Sequence, residues 1–332
     1  MSRNYNEASN PTFQLREVDW VEIISLMDNS ADFLSTIARE EVQQARKWVK
    51  ERMGEEWVKK HFHLPIAEHG FSMLVRAFYE SKSHNMLFDT GASPEGVIIN
   101  ASRMGLDLSE IESIVLSHGH YDHCGGLLAV LKTVNKVDLP IIVHEDMFKT
   151  RGITELNGTI RKHPDFPRDE QVKPAIYVRT KQPYLLADNT LLVTGEIPRK
   201  TSFEKGFPQH RVFGDGEWQS DPWIWDDRAI VINVGQKGLV VVSGCAHAGI
   251  INTMLYAQRI TGVDDVCAVM GGFHLAGKES EQRISQTVEK LKMINPKLLA
   301  PSHCTGWRGV YAIAKACPNA FIWNSVGNLY RF

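Results

Sequence analysis

Three histidines and an aspartate crowd six positions of the stretch LSHGHYDHCGG, residues 116–126. The spacing is His118-x-His120-x-Asp122-His123. Two residues apart in extended backbone, His118 and His120 project to the same side. Asp122 and His123 then enter a turn, where they can address a second point nearby. Imidazole and carboxylate are borderline-to-hard ligands that suit zinc, iron or manganese. One compact turn can therefore supply two ligands to each of two metal ions. An isolated His-x-His is commonly incidental, and an aspartate ahead of a helix is commonly an N-cap. The full pattern, set between an apolar strand and a Gly-Gly pair, points to metal instead.

A centre of this kind needs ligands from elsewhere in the chain. His247 in VVVSGCAHAG, His274 in VMGGFHL and His303 in LLAPSHCTG each follow an apolar run directly. One such histidine means little, but three in the same context are expected to converge with His118 on one rim of a sheet. His61, His63, His144, His163 and His210 lack that context and are not expected as ligands. Cys124, Cys245 and Cys304 each neighbour an expected ligand. Thiolate binds zinc well, but small thiols also pack well behind loops, and packing is the role expected for all three.

The elements that must position these residues are legible as short apolar runs. They fall at 20–27, 71–79, 85–89, 113–117, 140–144, 229–234, 239–244, 266–272 and 297–302. In places they alternate with helical patterns. Residues 279–295 put Ile284, Val288, Leu291 and Ile294 on one helical face ahead of Pro296, and residues 250–260 form a helix ending at Gly262. Strands joined by helices over this length predict an α/β architecture with covered sheets. The metal cluster lies on a strand-to-helix turn, where active sites of α/β folds sit. Residues 31–60 carry Phe33, Leu34, Ile37, Val42, Trp48, Val49 and Trp57 at three- and four-residue steps, which predicts an amphipathic helix interrupted near Gly54. It reads as an insertion over 31–62, packed on its own domain, with its tryptophans alternatively suiting a homodimer contact or a lid. Residues 145–225 are rich in proline and glycine and read as an irregular excursion over one end of the fold.

Bulk properties narrow the partners. The 332 residues are 43% hydrophobic, with a net charge of −2, so no basic footprint for nucleic acid is present. No run of about 18 apolar residues predicts a membrane span, and the polar N-terminus lacks a signal core. Five cysteines without a close pair argue against a disulfide framework and for a reducing, cytoplasmic setting.

Together the motifs carry a family. HxHxDH in SHGHYDH, FDTG with Asp89, GCAH and the late SHC resemble the metallo-β-lactamase superfamily, over about residues 18–304. The finer set DNS (28–30), EHGFS (68–72), FDTGAS (88–93), TGEIPR (194–199), DDRAIVI (226–232), GCAHAGIINT (244–253) and GGFHL (271–275) resembles its dihydropteroate-synthase-like branch. That branch includes an archaeal enzyme of methanopterin biosynthesis, which joins a dihydropterin to a ribofuranosyl-aminobenzene phosphate. The resemblance implies a single-domain, four-layer αβ/βα sandwich with metals at one edge between two sheets. It implies that one ion takes His118, His120 and His247, and the other Asp122, His123 and His303. Asp89 would then orient the ligand imidazoles from behind. Where the superfamily's bridging aspartate is expected, this chain has His274. A neutral imidazole cannot bridge two cations, so His274 is expected to serve one ion or to face substrate.

Two divalent ions, zinc first and iron or manganese as alternatives, would ionise bound water near pH ~7 and polarise a carbonyl or phosphoryl oxygen. Asp122 is expected both to ligate and to steer a proton. The first functional expectation is hydrolysis of a small anionic ester, amide or phosphoester by that hydroxide. The second is the transferase reaction of the branch, with the metals holding an anionic leaving group. The third is a metal-containing ligand-binding module without turnover. Glu196 and Arg199 of TGEIPR and His69 of EHGFS are the expected substrate contacts, Arg199 by a bidentate grip on phosphate or carboxylate. Trp218, Trp223 and Trp225 are expected to be local core of the excursion, with ring stacking on a planar substrate as the alternative.

Overall fold

The strand Trp20–Met27 shows how the layers arise. Successive side chains of a strand point to opposite faces, and here both faces are apolar. Val21 and Ile23 enter one core cluster, whereas Ile24 and Leu26 enter another. Gly238–Ser243 repeats the pattern: Val240 and Val242 face inward, Leu239 and Val241 outward. Two such sheets can only be covered on both sides. In the computed structural model, which describes residues 13–332, they are stacked face to face with helices outside.

The first sheet has eight strands, in the order Ile176–Arg179, Pro140–Val143, Ser113–Val115, Lys82–Phe88, Ser72–Tyr79, Trp20–Met27, Leu329–Arg331 and Val42–Gln43. The second has seven: Tyr184–Leu186, Leu191–Val193, Ala229–Val234, Gly238–Ser243, Val266–Gly272 and Leu298–Ser302, with Glu17–Val18 beside Ala229–Val234. Val75, Phe88 and Ile142 of the first meet Ile230, Val242 and Met270 of the second in the central core. Ala45–Met53, Gly96–Arg103 and Leu127–Val134 cover the first sheet, and Ile250–Thr261, Ile284–Ile294 and Gly306–Ala316 the second. This is the αβ/βα sandwich expected.

Parallel pairing decides where the loops go. Phe88 pairs with Val115 and Val115 with Ile142, and in the other sheet Ser243 pairs with Gly271 and Gly271 with Pro301. All six of these strands therefore end on one rim, and Asp89, the His118–His123 turn, His247, His274 and His303 follow five of them.

Three expectations need correction. Residues 31–44 are not helical: they form an irregular segment and the short strand Val42–Gln43, and the helix starts at Ala45. The three- and four-residue spacing in that half arises from loop residues that happen to be apolar, and Leu34 is fully exposed. Nor do the tryptophans form an outward face, since Trp48 is buried and its indole N–H donates to the Gly327 carbonyl at 2.8 Å. The break near Gly54 stands, with Glu55–His61 resuming the helix. The stretch 145–225 is also more regular than an excursion. Ile176–Arg179 extends the first sheet and Tyr184–Leu186 with Leu191–Val193 extends the second. A separate four-stranded sheet, Glu217–Ser220, His210–Gly214, Arg151–Thr154 and Ile160–Lys162, accounts for most of the remainder. The helix expected over 279–295 is divided, into Lys278–Glu281 and Ile284–Ile294.

Candidate metal centre

His118 leaves the end of Ser113–Val115 through Leu116 and Ser117, and His120 caps the short helix Tyr121–Cys124. The turn is pressed against the loop after Lys82–Phe88. A Cβ on Gly125 would lie 1.9 Å from the Ala92 carbonyl oxygen, so only glycine permits this approach. Gly244 plays the same part across the sheets, where a Cβ would lie 2.1 Å from Ser117 Oγ. Asp89, Ala246, His274 and His303 all have positive φ, at 59°, 54°, 44° and 51°. Left-handed backbone is costly for such residues and gathers at functional sites. Here it marks four of the loops that meet at this rim.

The imidazoles converge in two groups. His118 Nε2 lies 2.9 Å from His120 Nδ1 and 3.2 Å from His247 Nε2. An ion bound to three nitrogens at about 2.0–2.1 Å in tetrahedral geometry holds them about 3.3 Å apart, so this triangle fits one. In the second group, Asp122 Oδ2 lies 3.3 Å from His303 Nε2 and 3.7 Å from His123 Nε2. His303 Nε2 is buried without a hydrogen-bond partner among the described residues. The donor sets of both groups suit divalent zinc, iron or manganese.

The outward atoms of three of these rings, His118, His123 and His303, are held in place. Asp89 accepts from the Ser117 N–H at 2.6 Å and the Ser117 hydroxyl at 2.7 Å, and its Oδ2 lies 2.6 Å from His123 Nδ1. Ser117 Oγ in turn lies 3.0 Å from His118 Nδ1. His303 Nδ1 faces Asn29 Oδ1 at 3.0 Å. A longer chain backs it: Tyr330 Oη donates to Asn324 Oδ1 at 2.7 Å, Asn324 Nδ2 donates to Asp28 Oδ2 at 2.6 Å, and Asp28 Oδ1 accepts from the His303 N–H at 2.9 Å. Each outer N–H so engaged leaves the inner nitrogen's lone pair free for a cation.

Burial, together with the neighbouring imidazoles, holds His118 and His247 well below the ordinary histidine range; burial does the same for His120, seconded by His210. They are neutral, as ligands must be. Burial also opposes charge on His123, but the Asp89 and Asp122 carboxylates outweigh it and push it up to about 9. Asp122 resists burial's upward push because His123, His303 and His120 hold its carboxyl well below the usual range. The second group is thus a charged pocket whose cation is, in the bare protein, a proton.

The remaining expected residues divide. His69 is 61% exposed at the mouth, with Nε2 3.5 Å from Asp122 Oδ2 and its ring 4.9 Å from that of His303. His274 lies beside His247, ring centroids 4.3 Å apart, with both ring nitrogens buried and unpartnered among the described residues. Glu196 faces His144 Nε2 at 3.1 Å. Arg199 donates to the Ile197 and Trp223 carbonyls and lies over the Trp225 ring. Its guanidinium organises the 197–225 loops rather than standing free for a bidentate grip. His163 and His210, expected to be bystanders, have rings 5.3 and 5.1 Å from that of His120. No spacing rule finds them, because His210–Gly214 belongs to the separate small sheet that folds over the site. Asp226 was visible only as part of a motif. It accepts from the Gly119 N–H at 2.8 Å, between His118 and His120, while Arg151 grips it from behind.

Residues 66–250 match the model of the metallo-beta-lactamase superfamily. The chain belongs to the metallo-β-lactamase superfamily. It is 32% identical over 279 residues to the 7,8-dihydropterin-6-methyl-4-(beta-D-ribofuranosyl)-aminobenzene-5'-phosphate synthase of Methanocaldococcus jannaschii, covering 80% of this chain and 90% of the relative. An uncharacterised protein of the same organism is 29% identical, covering 80% and 93%. The crystal structure of Tm1679, a metal-dependent hydrolase of the beta-lactamase superfamily, superposes with a TM-score of 0.68 at 23% identity, covering 94% of this chain and 98% of that one, which shows the shared fold. His274 lies in the loop after Val266–Gly272, beside His247. Among the described residues no helix is long and apolar enough to cross a membrane.

Proposed function

We propose that this chain is a metal-dependent enzyme that transfers a group from a small anionic substrate to an amine, with His118, His120 and His247 holding one divalent ion and Asp122, His123 and His303 the other. The observation that carries the metal assignment is the double convergence of ring nitrogens, with the outer atoms of His118, His123 and His303 already engaged by Ser117, Asp89 and Asn29. The transfer reading is favoured by the synthase relative, which matches this chain over 90% of the relative's length. When bound, the ions would neutralise charge on a phosphate-type leaving group. In such a reaction the amine lone pair forms the new C–N bond, the leaving oxygen departs with the electrons of its C–O bond, and the amine gives up a proton. His69 is placed to take it, half-exposed at the mouth beside Asp122. Asp122 and its buried neighbours exclude bulk water from the inner side.

Hydrolysis is the second reading, favoured by the same His69–Asp122 pair, since a water molecule at the mouth could surrender its proton there. Zinc- or manganese-loaded protein, incubated with an activated 6-methyl-dihydropterin and 4-(β-D-ribofuranosyl)aminobenzene 5'-phosphate, is expected to form the coupled product by mass spectrometry. Turnover of phosphoesters or lactones without coupling would replace transfer by hydrolysis. Loss of both activities in His120→Ala and Asp122→Ala, with neither variant binding metal normally, is expected in either case.

A further inference from the structure

The two ion positions proposed above lack a common ligand from the loop after Val266–Gly272, where His274 stands. One imidazole nitrogen has one lone pair and cannot hold two cations. A neighbouring group can. Cys245 is buried two residues ahead of His247, and its Sγ lies 3.2 Å from His123 Nε2. The same sulfur is within 4.8 Å of ligand atoms of His118 and His123, of His247 and His274, and of His303 and Cys304. It therefore stands among rings assigned to both ions: His118 and His247 on one side, His123 and His303 on the other. Both nitrogens of His274, beside this sulfur, are buried without a hydrogen-bond partner among the described residues.

We propose that Cys245, as thiolate, is a ligand of this centre and bridges the two ions in place of the missing carboxylate. The inference rests on the two-ion reading above. Sulfur has lone pairs for two cations, with a zinc–sulfur bond of about 2.3 Å. An ion bonded to both Cys245 Sγ and His123 Nε2 would hold them about 3.5 Å apart, a few tenths of an ångström from their present separation. Charge supports the same assignment. Asp122 is the only anion in the six-residue donor set, and two divalent ions in a buried pocket need more negative charge than one carboxylate brings. On binding, the thiol proton leaves to solvent and the sulfur keeps its electron pair. No redox change is involved. Cys124 shows what a packing thiol does here instead: it donates to the His120 carbonyl at 3.3 Å. Cys304 donates to the Cys245 carbonyl at 3.4 Å and holds the loop that carries the bridge.

Cobalt loading and zinc-edge X-ray absorption test this. Protein saturated with cobalt is expected to show strong near-ultraviolet sulfur-to-cobalt absorption, lost in Cys245→Ser and kept in Cys304→Ser. The zinc form of the unaltered protein is expected to show a sulfur neighbour at about 2.3 Å. A fully loaded protein with only nitrogen and oxygen neighbours at about 2.0–2.1 Å would overturn the thiolate bridge and leave the histidine–aspartate site standing. Loss of the band in Cys304→Ser but not in Cys245→Ser would overturn it in favour of the other thiol. Failure of the unaltered protein to bind either metal would remove both readings together. Should Cys245→Ser not fold, the zinc form of Cys304→Ser decides: a sulfur neighbour kept at about 2.3 Å supports Cys245, and its loss overturns the proposal.

Discussion

One carboxylate, Asp89, fixes the ligand turn from behind through three contacts, to the Ser117 backbone, the Ser117 hydroxyl and His123 Nδ1. Asp89→Asn keeps the size but removes the charge, so metal affinity is expected to fall about 10–100-fold, read by competition with a chromophoric chelator. Asp226 serves the same turn by a different route. Its carboxyl is held well below the usual range: burial opposes ionisation, and Arg151, with the guanidinium 2.7 Å away, outweighs it. A folded-state pKa below the unfolded one means the unfolded chain binds more protons in acid. The stabilisation is therefore present above the unfolded pKa of about 3.9 and is lost as pH falls below it. Asp226→Asn is expected to lower the unfolding free energy at pH 7 by about 3–5 kcal/mol, as for a broken buried pair, read by urea unfolding. The difference from the unaltered protein should persist at pH 4 and shrink only as pH falls further below about 3.9. That the histidines converge was legible because each follows an apolar run directly. Asp28, Asn29 and Ser117 were not, because their roles are hydrogen bonds across hundreds of residues, which leave no local pattern.

At the scale of elements, close approach of backbones sets the position of the centre. Gly125→Ala would drive a methyl into the Ala92 carbonyl at 1.9 Å, whereas Gly214 has no atom within 4 Å of its added carbon. The first is expected to cost about 1–3 kcal/mol and the second about 0.5 or less, compared by urea unfolding at neutral pH. Trp48→Ala is expected to cost about 3–5 kcal/mol by the same measurement, because the buried indole anchors Ala45–Met53 on the first sheet. The paired β runs were readable from apolar content alone, since strands buried on both faces need nothing else. The region 31–44 misled because exposed apolar residues in a loop can fall by chance at helical spacing. The small sheet over the site escaped notice because its strands alternate with charged, half-exposed positions and draw their pairing from distant residues, as His210 does with Ile153.

Over the whole molecule, the donors hang from different layers. His118 to His123 follow the first sheet, whereas His247 and His303 follow the second. Bound ions would tie the two sheets together at one rim. Metal at 100 times its dissociation constant is expected to add about 2.7 kcal/mol to stability, seen as a higher melting temperature than after chelation. The chelated protein is expected to stay folded by far-ultraviolet circular dichroism, because the cores are complete without the centre. The hydrogen-bond chain from Tyr330 through Asn324 and Asp28 to His303 has a consequence in time. A chain emerging from the ribosome exposes its His118–His123 turn long before residues 324–331, and Trp20–Met27 must wait for Leu329–Arg331 as its neighbour. Until then Asp28, which accepts the His303 N–H, lacks its own support from Asn324 and Tyr330. The backing of the second ion pocket is therefore completed only once these late residues have joined the first sheet.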